Sequence, residues 1–309
     1  MAACTQPFLP TVRTASQRGE TRLRGTFALL RFWHVASLDA PTVAVVWSYG
    51  FAWAVKIPLP VWAPVVLALI AWALYIGDRL LDARAGMQLP PLHLLRERHH
   101  FHWKWRWVMA PAGAMAGMTA AAIVMTRLPA GARAPDSALA AATLAYFSGV
   151  HSRGRIWRTA ERMFAPLSCR ALMIGVLFTA ACLLPAASQV AYPELPSLVR
   201  SLGIPALFYA ALGWLNCHAI GKWEGEGARD GENGVEGKAA MLGGVGSWLA
   251  VLLISQSPHV SALLAAGSTS ALLFVLLERM RGRMTPLALR AAADLVLLTP
   301  ALVLVFGSR

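Results

Sequence analysis

Long apolar runs recur along almost the whole of this chain, and they constrain its fold more than any other feature. Each run is about 18 to 25 residues long, which is enough to cross a hydrocarbon core of about 30 Å as one helix. Because lipid offers no partners to backbone polar groups, such runs predict α-helices. We therefore expect an all-α, polytopic membrane protein with nine transmembrane helices. The nine segments lie near residues 37–55, 60–82, 105–127, 136–152, 166–188, 202–222, 239–256, 259–279 and 286–306.

The composition agrees with a membrane location. Of the 309 residues, 57% are hydrophobic and 14% are charged, whereas a soluble domain carries about 25% charged residues. Residues 1–36 are polar and include five arginines, so they predict a basic cytoplasmic arm rather than a secretory signal. Residues 37–306 are expected to form a single transmembrane domain.

Basic residues are distributed unevenly between the two ends of these segments. With the N-terminus inside the cell, 23 of the 28 Lys and Arg residues fall in inside segments. Because cytoplasmic loops carry an excess of Lys and Arg, this asymmetry predicts a cytoplasmic N-terminus and an outside C-terminus. It also accounts for the formal charge of +13 without a nucleic-acid partner. We expect an integral protein of a bacterial cytoplasmic (inner) membrane, in contact with membrane lipid.

Seven of the 15 Asp and Glu residues fall in two short stretches that this orientation places on the cytoplasmic face. The first follows helix two and contains Asp78 and Asp82; the second follows helix six and runs from Glu224 to Glu236. Carboxylates are costly next to hydrocarbon, so acids clustered at the ends of apolar helices indicate a function. Mg²⁺ is typically held by one or two carboxylates plus substrate phosphates. The two stretches therefore predict a Mg²⁺-bridged diphosphate site.

The spacing within each stretch leaves a simpler interpretation open. Asp78 and Asp82 are four residues apart and share one helix face, where two like charges need water, a cation or a basic neighbour such as Arg79. A solvated helix end with local ion pairs satisfies that need equally. Where the second stretch begins, Asn216, Ile220 and Glu224 share one helix face at four-residue spacing, and the glycines that follow Glu224 break the helix. An ordinary polar loop is the alternative there.

These features resemble the UbiA superfamily of intramembrane prenyltransferases over roughly residues 30–306. That family has nine transmembrane helices and two Asp-rich motifs at the cytoplasmic ends of helices two and six. Its first motif reads Asn-Asp-x-x-Asp-x-x-x-Asp; the last two acids fall on Asp78 and Asp82, and Arg79 fits the common Asp-Arg start. Leu74 and Tyr75 stand in place of the leading Asn-Asp pair. We expect this departure to weaken metal binding.

The resemblance implies a set of site residues. The implied Mg²⁺ ligands are Asp78, Asp82, Glu224, Glu226 and Asp230, the last two being an alternative register of the second motif. The implied diphosphate contacts are Arg79, Arg96, Arg98, Arg153, Arg155 and Lys222. The implied catalytic residues are Asp78, Asp82, Tyr75 and Tyr146, with a tyrosine ring face stabilising a carbocation. Asn216, Asp294 and Arg290 are the expected supporting residues.

The activity implied by the resemblance is prenyl transfer from an isoprenoid diphosphate, with Mg²⁺ as the cofactor. The acceptor would be a lipid-soluble aromatic, a quinone precursor or a lipid, and cyclisation of the prenyl chain fits the same site. The absent Asn-Asp pair favours an alternative, a catalytically degenerate UbiA-like protein that binds a polyprenyl lipid or acts as a scaffold.

A histidine-rich segment after helix two supports a third hypothesis. It contains His93, His99, His100 and His102. Imidazole suits Zn, Cu and Fe, so a His-ligated membrane redox enzyme is a further interpretation. An interfacial basic segment with snorkelling side chains is the simpler one. Another interpretation of this segment is that Arg96, Arg98 and His99 close over a bound diphosphate, since guanidinium groups match phosphate oxygens.

Two further acids lie within or at the start of apolar segments. Asp294 has Arg290 four residues before it, which predicts an i,i+4 ion pair on an inward face. Asp39 precedes Pro41 at the start of helix one, where it is expected to act as a helix cap.

Overall fold

The structure is a computed structural model that describes residues 29–87, 97–128, 133–152, 169–224 and 234–307. Within these ranges the chain is helical and contains no strand. A short helical segment at residues 29–35 comes first. The α-helices that follow are α1 (Asp39–Ala54), α2 (Trp62–Met87), α3 (Glu97–Lys104), α4 (Arg106–Arg127), α5 (Ala134–Ser152), α6 (Cys169–Ala187), α7 (Leu195–Glu224), α8 (Val235–Leu253), α9 (Pro258–Met280), α10 (Pro286–Val296) and α11 (Pro300–Phe306).

The helices have the length and surface of a membrane protein. In the described residues, five of them are long and apolar enough to cross a membrane, namely α2, α4, α6, α7 and α9, and the bent pair α10–α11 qualifies as a sixth. Large apolar side chains point outward in numbers that a soluble protein does not expose. Examples are Met115, Met118, Leu207, Met241, Trp248 and Val251. The expectation of a helical, integral membrane protein is therefore confirmed.

The apolar segments predicted from the sequence coincide with the described helices. Segment 105–127, for example, corresponds to α4, and segment 286–306 corresponds to the bent pair α10–α11. In this part of the chain, α1, α5 and α8 fall short of the length or apolarity expected of an independent span. Short or less apolar helices of this kind need neighbours to bury their polar groups, and here they pack against longer helices.

The core forms where α1, α7 and α9 meet. The indole of Trp47 packs edge-on against Tyr209, with ring centroids 4.7 Å apart. The Tyr209 hydroxyl donates to the carbonyl of Leu263 at 2.9 Å, so this buried polar group is satisfied. α6 and α7 approach closely at Gly175. A β-carbon at this position would lie 2.8 Å from the backbone nitrogen of Trp214, so the contact leaves no room for a larger residue.

The last apolar segment is broken between α10 and α11, which meet at a bend of 44°. A break exposes backbone carbonyls, which lipid cannot satisfy. Side chains from other helices do so here: Trp47 donates its indole N–H to the Leu297 carbonyl at 2.9 Å, and Ser270 donates its hydroxyl to the Val296 carbonyl at 2.6 Å. The break is thus held inside the protein, and it fixes the end of α10 that carries Asp294.

Candidate functional site

A cavity of about 460 Å³ lies among α1, α2, α3, α5, α6, α7 and α10. The polarity of its lining changes along α2 and along α6. On α2 the lining runs from the charged Asp82 to the apolar Leu67, a distance of about 22 Å at 1.5 Å per residue. On α6 it runs likewise from Arg170 to the apolar Ala181. The cavity therefore has a charged rim, which we define as Asp78, Arg79, Asp82, Arg98 and Arg170, and an apolar depth.

Most of the site residues predicted from the sequence line this one cavity. They come from five helices, α2, α3, α5, α7 and α10. Those that line it are Tyr75, Asp78, Arg79, Asp82, Arg98, Tyr146, Asn216, Arg290 and Asp294. Counting Asp39 and Arg170, the lining contains four aspartates and four arginines, so the opposite charges balance within the cavity.

Asp78 lies between two guanidinium groups. Its Oδ2 accepts a hydrogen bond from Arg79 Nη1 at 2.8 Å, and its Oδ1 is 3.7 Å from Arg170 Nη2. The Arg79 guanidinium also lies 5.5 Å from the ring centroid of Tyr75, the residue that stands in the family motif's Asp position. Arg79 Nε is buried and has no hydrogen-bond partner among the described residues. This donor is available to an anion in the cavity.

Arg98 reaches the rim from α3, a short helix that packs on α2. The side chain is 5% exposed, and its Nη1 is buried without a hydrogen-bond partner in the described part of the chain. Its Nε donates to His99 Nε2 at 3.4 Å, and that nitrogen lies 3.9 Å from Asp82 Oδ2. A buried guanidinium nitrogen without a partner is costly, so its position favours an anionic ligand.

His102 contacts the backbone of α3 on the buried side of that helix. Its Nδ1 is 2.9 Å from the carbonyl oxygen of Arg98, and the side chain is fully buried. Burial, and then the positive charge of Arg79, lower the pKa of His102 to about 4. The ring is therefore neutral at pH 7, with Nδ1–H donating to that carbonyl. His100 on the same helix is exposed.

Tyr146 approaches the rim from α5. It lies beside Arg170, which also interacts with Asp78, so one arginine connects α5, α6 and α2. Arg170 was counted in the sequence only as a basic residue of a cytoplasmic loop. Its position directly before the apolar part of α6 was the available signal, because a charge at that place faces either lipid headgroups or the bundle interior.

A second polar group beside the cavity is formed by His34, Asp39 and Asp294, which we call the His-Asp-Asp cluster; its two aspartates line the cavity. His34 Nδ1 is 2.8 Å from Asp39 Oδ2 and 3.4 Å from Asp294 Oδ2. Asn216 donates its side-chain amide to Asp294 Oδ1 at 3.2 Å. Asn216 and Asp294 were predicted as supporting residues, and their contact joins α7 to α10. The sequence had paired Asp294 with Arg290 and had assigned no partner to His34.

The His-Asp-Asp cluster is almost inaccessible to solvent. The side chains of His34, Asp39 and Asp294 are 2%, 8% and 14% exposed. Burial alone would lower the pKa of His34, but its contacts with Asp294 and Asp39 outweigh burial and raise this pKa to about 9. His34 is therefore an imidazolium at pH 7 when no other cation is present. Asp39, expected as a helix cap, instead directs a carboxylate oxygen at His34.

Other predicted site residues are not brought to the cavity or lie outside the described residues. Lys222 is exposed near the end of α7 and is absent from the cavity lining. Glu224 ends α7, and its side chain is not described. Arg96, Arg153, Arg155, Glu226 and Asp230 lie outside the described residues, as does His93.

Comparison with known proteins gave no relatives. A scan against protein-family models, a search of curated proteins and a search of solved structures each returned no match. The geometry of the cavity therefore carries the functional argument.

Proposed function

We propose that this protein is an integral membrane prenyltransferase, similar to the UbiA superfamily, that acts on an isoprenoid diphosphate with Mg²⁺. In this proposal the chain crosses a bacterial inner membrane nine times, with a cytoplasmic N-terminus and an outside C-terminus. The charged rim of the cavity then faces the cytoplasm, where water-soluble diphosphate headgroups are delivered.

One observation carries the proposal: a single cavity joins a rim with unpaired cationic donors to an apolar depth. Arg79 Nε and Arg98 Nη1 are buried at the rim and have no hydrogen-bond partner in the described ranges. The depth is lined by Trp47, Leu67 and Phe178, among other apolar side chains. A ligand that satisfies both ends has an anionic head and a long apolar tail. Isoprenoid diphosphates have this form.

The residues at the rim also fit Mg²⁺. Mg²⁺ keeps several waters and takes one or two carboxylates plus substrate phosphates, and Asp78 and Asp82 supply two carboxylates one helical turn apart on the cavity wall. Glu224, at the end of α7, and Glu226 and Asp230, which follow it in the sequence, are the further ligands that this proposal assigns. When bound, Mg²⁺ would neutralise charge that develops on the leaving diphosphate.

The protein's own residues would assist ionisation of the allylic C–O bond. Arg79 and Arg98 donate hydrogen bonds to the diphosphate, and they stabilise it more as its negative charge grows. Arg170, held beside Asp78 and Tyr146, adds a third positive charge to the same rim. The rings of Tyr75 and Tyr146 stabilise the carbocation through their faces. The electron pair of the C–O bond leaves with the diphosphate.

The carbocation then forms a new C–C or C–O bond. An aromatic, quinone-type or lipid acceptor that enters the apolar depth supplies the electron pair, or a double bond of the prenyl chain supplies it and the chain cyclises. In either case the resulting cation becomes neutral by losing a proton to the released diphosphate. Exclusion of water by the buried lining protects the cation from hydrolysis.

Ligand binding by an Arg98→Gln variant tests the proposal. Arg98 lines the cavity, whereas Arg106, on the neighbouring helix, contacts Trp103 and is absent from the lining. Because a hydrogen bond to a charged group contributes about 1.5–3 kcal/mol, Arg98→Gln should bind farnesyl diphosphate roughly 10- to 100-fold more weakly. Arg106→Gln should bind it as the wild type does, and farnesol should bind all three proteins alike. Equal affinity of Arg98→Gln and wild type for farnesyl diphosphate would contradict the proposal.

A second candidate function is a UbiA-like protein that binds a polyprenyl lipid without catalysis. It is favoured by the partners of the two carboxylates, since Asp78 contacts Arg79 and Arg170 and Asp82 approaches His99. Such contacts neutralise the acids without a metal. This protein would bind farnesyl diphosphate through the same rim but release no diphosphate.

A further inference from the structure

The His-Asp-Asp cluster has an arrangement that the proposed prenyl chemistry does not use. Its three side chains come from three separate parts of the chain: His34 from the segment at residues 29–35, Asp39 from α1 and Asp294 from α10. One ligand atom from each residue lies within 4.8 Å of the other two. We propose that these three residues form a binding site for a divalent transition-metal ion, separate from the Mg²⁺ site at the rim.

The first argument is that ligand atoms of the three residues lie close together, although the ring nitrogens of His34 lack hydrogen-bond geometry in the described part of the chain. Nδ1 of His34 lies 2.8 Å from Asp39 Oδ2 and 3.4 Å from Asp294 Oδ2. Neither ring nitrogen of this buried histidine has hydrogen-bond geometry with any described residue. Ligand atoms at about 2.0–2.2 Å from one ion lie roughly 2.8 to 3.6 Å from one another, for angles between a right angle and the tetrahedral angle. The two distances to His34 are of that size.

The second argument concerns the other oxygen of each carboxylate. Oδ1 of Asp39 accepts a hydrogen bond from the backbone N–H of Ala40 at 2.9 Å. Oδ1 of Asp294 accepts one from the side-chain amide of Asn216 at 3.2 Å. In both residues Oδ2 is the atom directed at His34. Outer hydrogen bonds of this kind orient the carboxylates around a metal and are typical of protein metal sites.

The third argument is charge. Asp39 and Asp294 bring two carboxylates into a buried place beside the single imidazole of His34. A divalent cation with a neutral imidazole compensates both, which matters because uncompensated charge is costly in a region of low dielectric. A mixed nitrogen and oxygen ligand set favours Mn²⁺, Fe²⁺, Co²⁺ or Zn²⁺ over Mg²⁺, which prefers oxygen alone.

The cluster also has an entry path. Asp39, Asp294 and Asn216 line the cavity, so an ion in the cavity can reach both carboxylates. Three protein ligands with open positions are the pattern of metal sites that bind a further small ligand. The site stands on these contacts alone and does not depend on the proposed prenyl transfer.

Titration of the full-length, chelator-treated protein with Co²⁺ tests the site, because Co²⁺ bound by nitrogen and oxygen ligands absorbs visible light. Excess Mg²⁺ is present throughout to occupy the carboxylates of the rim. We expect one saturable Co²⁺ per chain, displaced by Zn²⁺. Asp294→Asn and His34→Gln should each weaken Co²⁺ binding at least about tenfold, and Asn216→Ala, which keeps all three ligands, should weaken it about tenfold.

Two variants serve as controls. Asp82→Asn changes an acid of the rim, and His100→Gln removes an exposed histidine; both should bind Co²⁺ as the wild type does. Thermal unfolding of the metal-free proteins shows whether each variant is folded. If Asp294→Asn or His34→Gln does not fold, the comparison of Asn216→Ala with the wild type tests the proposal. Absence of saturable binding, or wild-type binding by folded Asp294→Asn and Asn216→Ala, means an adventitious ion only and overturns the proposal.

Discussion

Asp78 shows how one side chain at the rim can serve two partners. In the structure its carboxylate is neutralised by Arg79 at 2.8 Å and by Arg170 at 3.7 Å. A diphosphate that brings Mg²⁺ would supply both a cation for the carboxylate and an anion for the arginines. Exchange of these contacts then couples metal binding to substrate binding, because each released group finds an opposite charge on the incoming ligand.

Asp78→Asn tests this coupling. The amide cannot hold Mg²⁺ as a carboxylate does, so farnesyl diphosphate should bind with an affinity that no longer depends on Mg²⁺. Binding in EDTA should be retained, since Arg79 and Arg170 lose an internal anion and keep their charges. Calorimetric titration with and without Mg²⁺ measures the difference. Glu236→Gln, which removes an acid paired with Arg279 outside the cavity lining, is the control and should keep the wild-type Mg²⁺ dependence.

His102 gives a prediction about pH. Burial and the charge of Arg79 lower its pKa from 6.5 to about 4, so between these values the unfolded chain binds a proton that the folded chain does not. The free energy of unfolding should therefore fall as the pH is lowered from 6.5 toward 4, by up to about 3 kcal/mol from this residue. His102→Gln should reduce that slope, and His100→Gln on the same helix should not. Equal slopes in thermal or denaturant unfolding would contradict this role.

At the scale of elements, the close contact between α6 and α7 sets the width of the cavity, because both helices contribute to its wall. A methyl group at Gly175 would press against the backbone of α7 at Ala210 and Trp214, atoms that cannot move without moving the helix. Small residues at such a contact let two helices approach in lipid, where packing rather than hydrophobicity drives their association.

Gly175→Ala should therefore destabilise the bundle by about 1–3 kcal/mol, the usual cost of overpacking, and should weaken binding of farnesyl diphosphate by displacing the α6 wall. Gly203→Ala on α7 is the matched control, since a β-carbon there meets nothing within 4 Å. Alanine is the better helix former by about 1 kcal/mol, so the control should be neutral or slightly stabilising. Thermal unfolding in detergent compares the two; similar melting temperatures would contradict the close approach.

The helices and their contacts also show which structural features could be predicted from the sequence. Long apolar runs predicted the helices because each segment has to satisfy its own backbone in lipid. It did not predict the break before α11, which depends on donors from Trp47 and Ser270, residues far away in the chain. Spacing of four placed Asp78 and Asp82 on one face, which the cavity lining bears out. It could not pair His34 with Asp294, because 260 positions separate two side chains that only the folded bundle brings together.

At the scale of the whole molecule, the bundle provides what the proposed chemistry needs. Under this proposal the membrane would supply the apolar substrates, the apolar depth of the cavity would exclude water, and the arginines and aspartates of the rim would hold a charged headgroup. Neither the rim nor the depth is built by one segment, since the lining comes from seven helices. The acids and arginines were visible in the sequence as ends of apolar runs, whereas their convergence on one cavity follows from tertiary packing.

Diphosphate release tests the central claim most directly. Detergent-purified protein would be given geranyl, farnesyl or geranylgeranyl diphosphate, with Mg²⁺ or with EDTA, alongside an Asp82→Asn variant. The proposed ionising site predicts release that requires Mg²⁺ and disappears in Asp82→Asn while the variant stays folded. Ligand-induced thermal stabilisation without release would identify a binding protein instead. Neither release nor stabilisation, with any of the three diphosphates, would contradict the proposal that this cavity binds isoprenoid diphosphates.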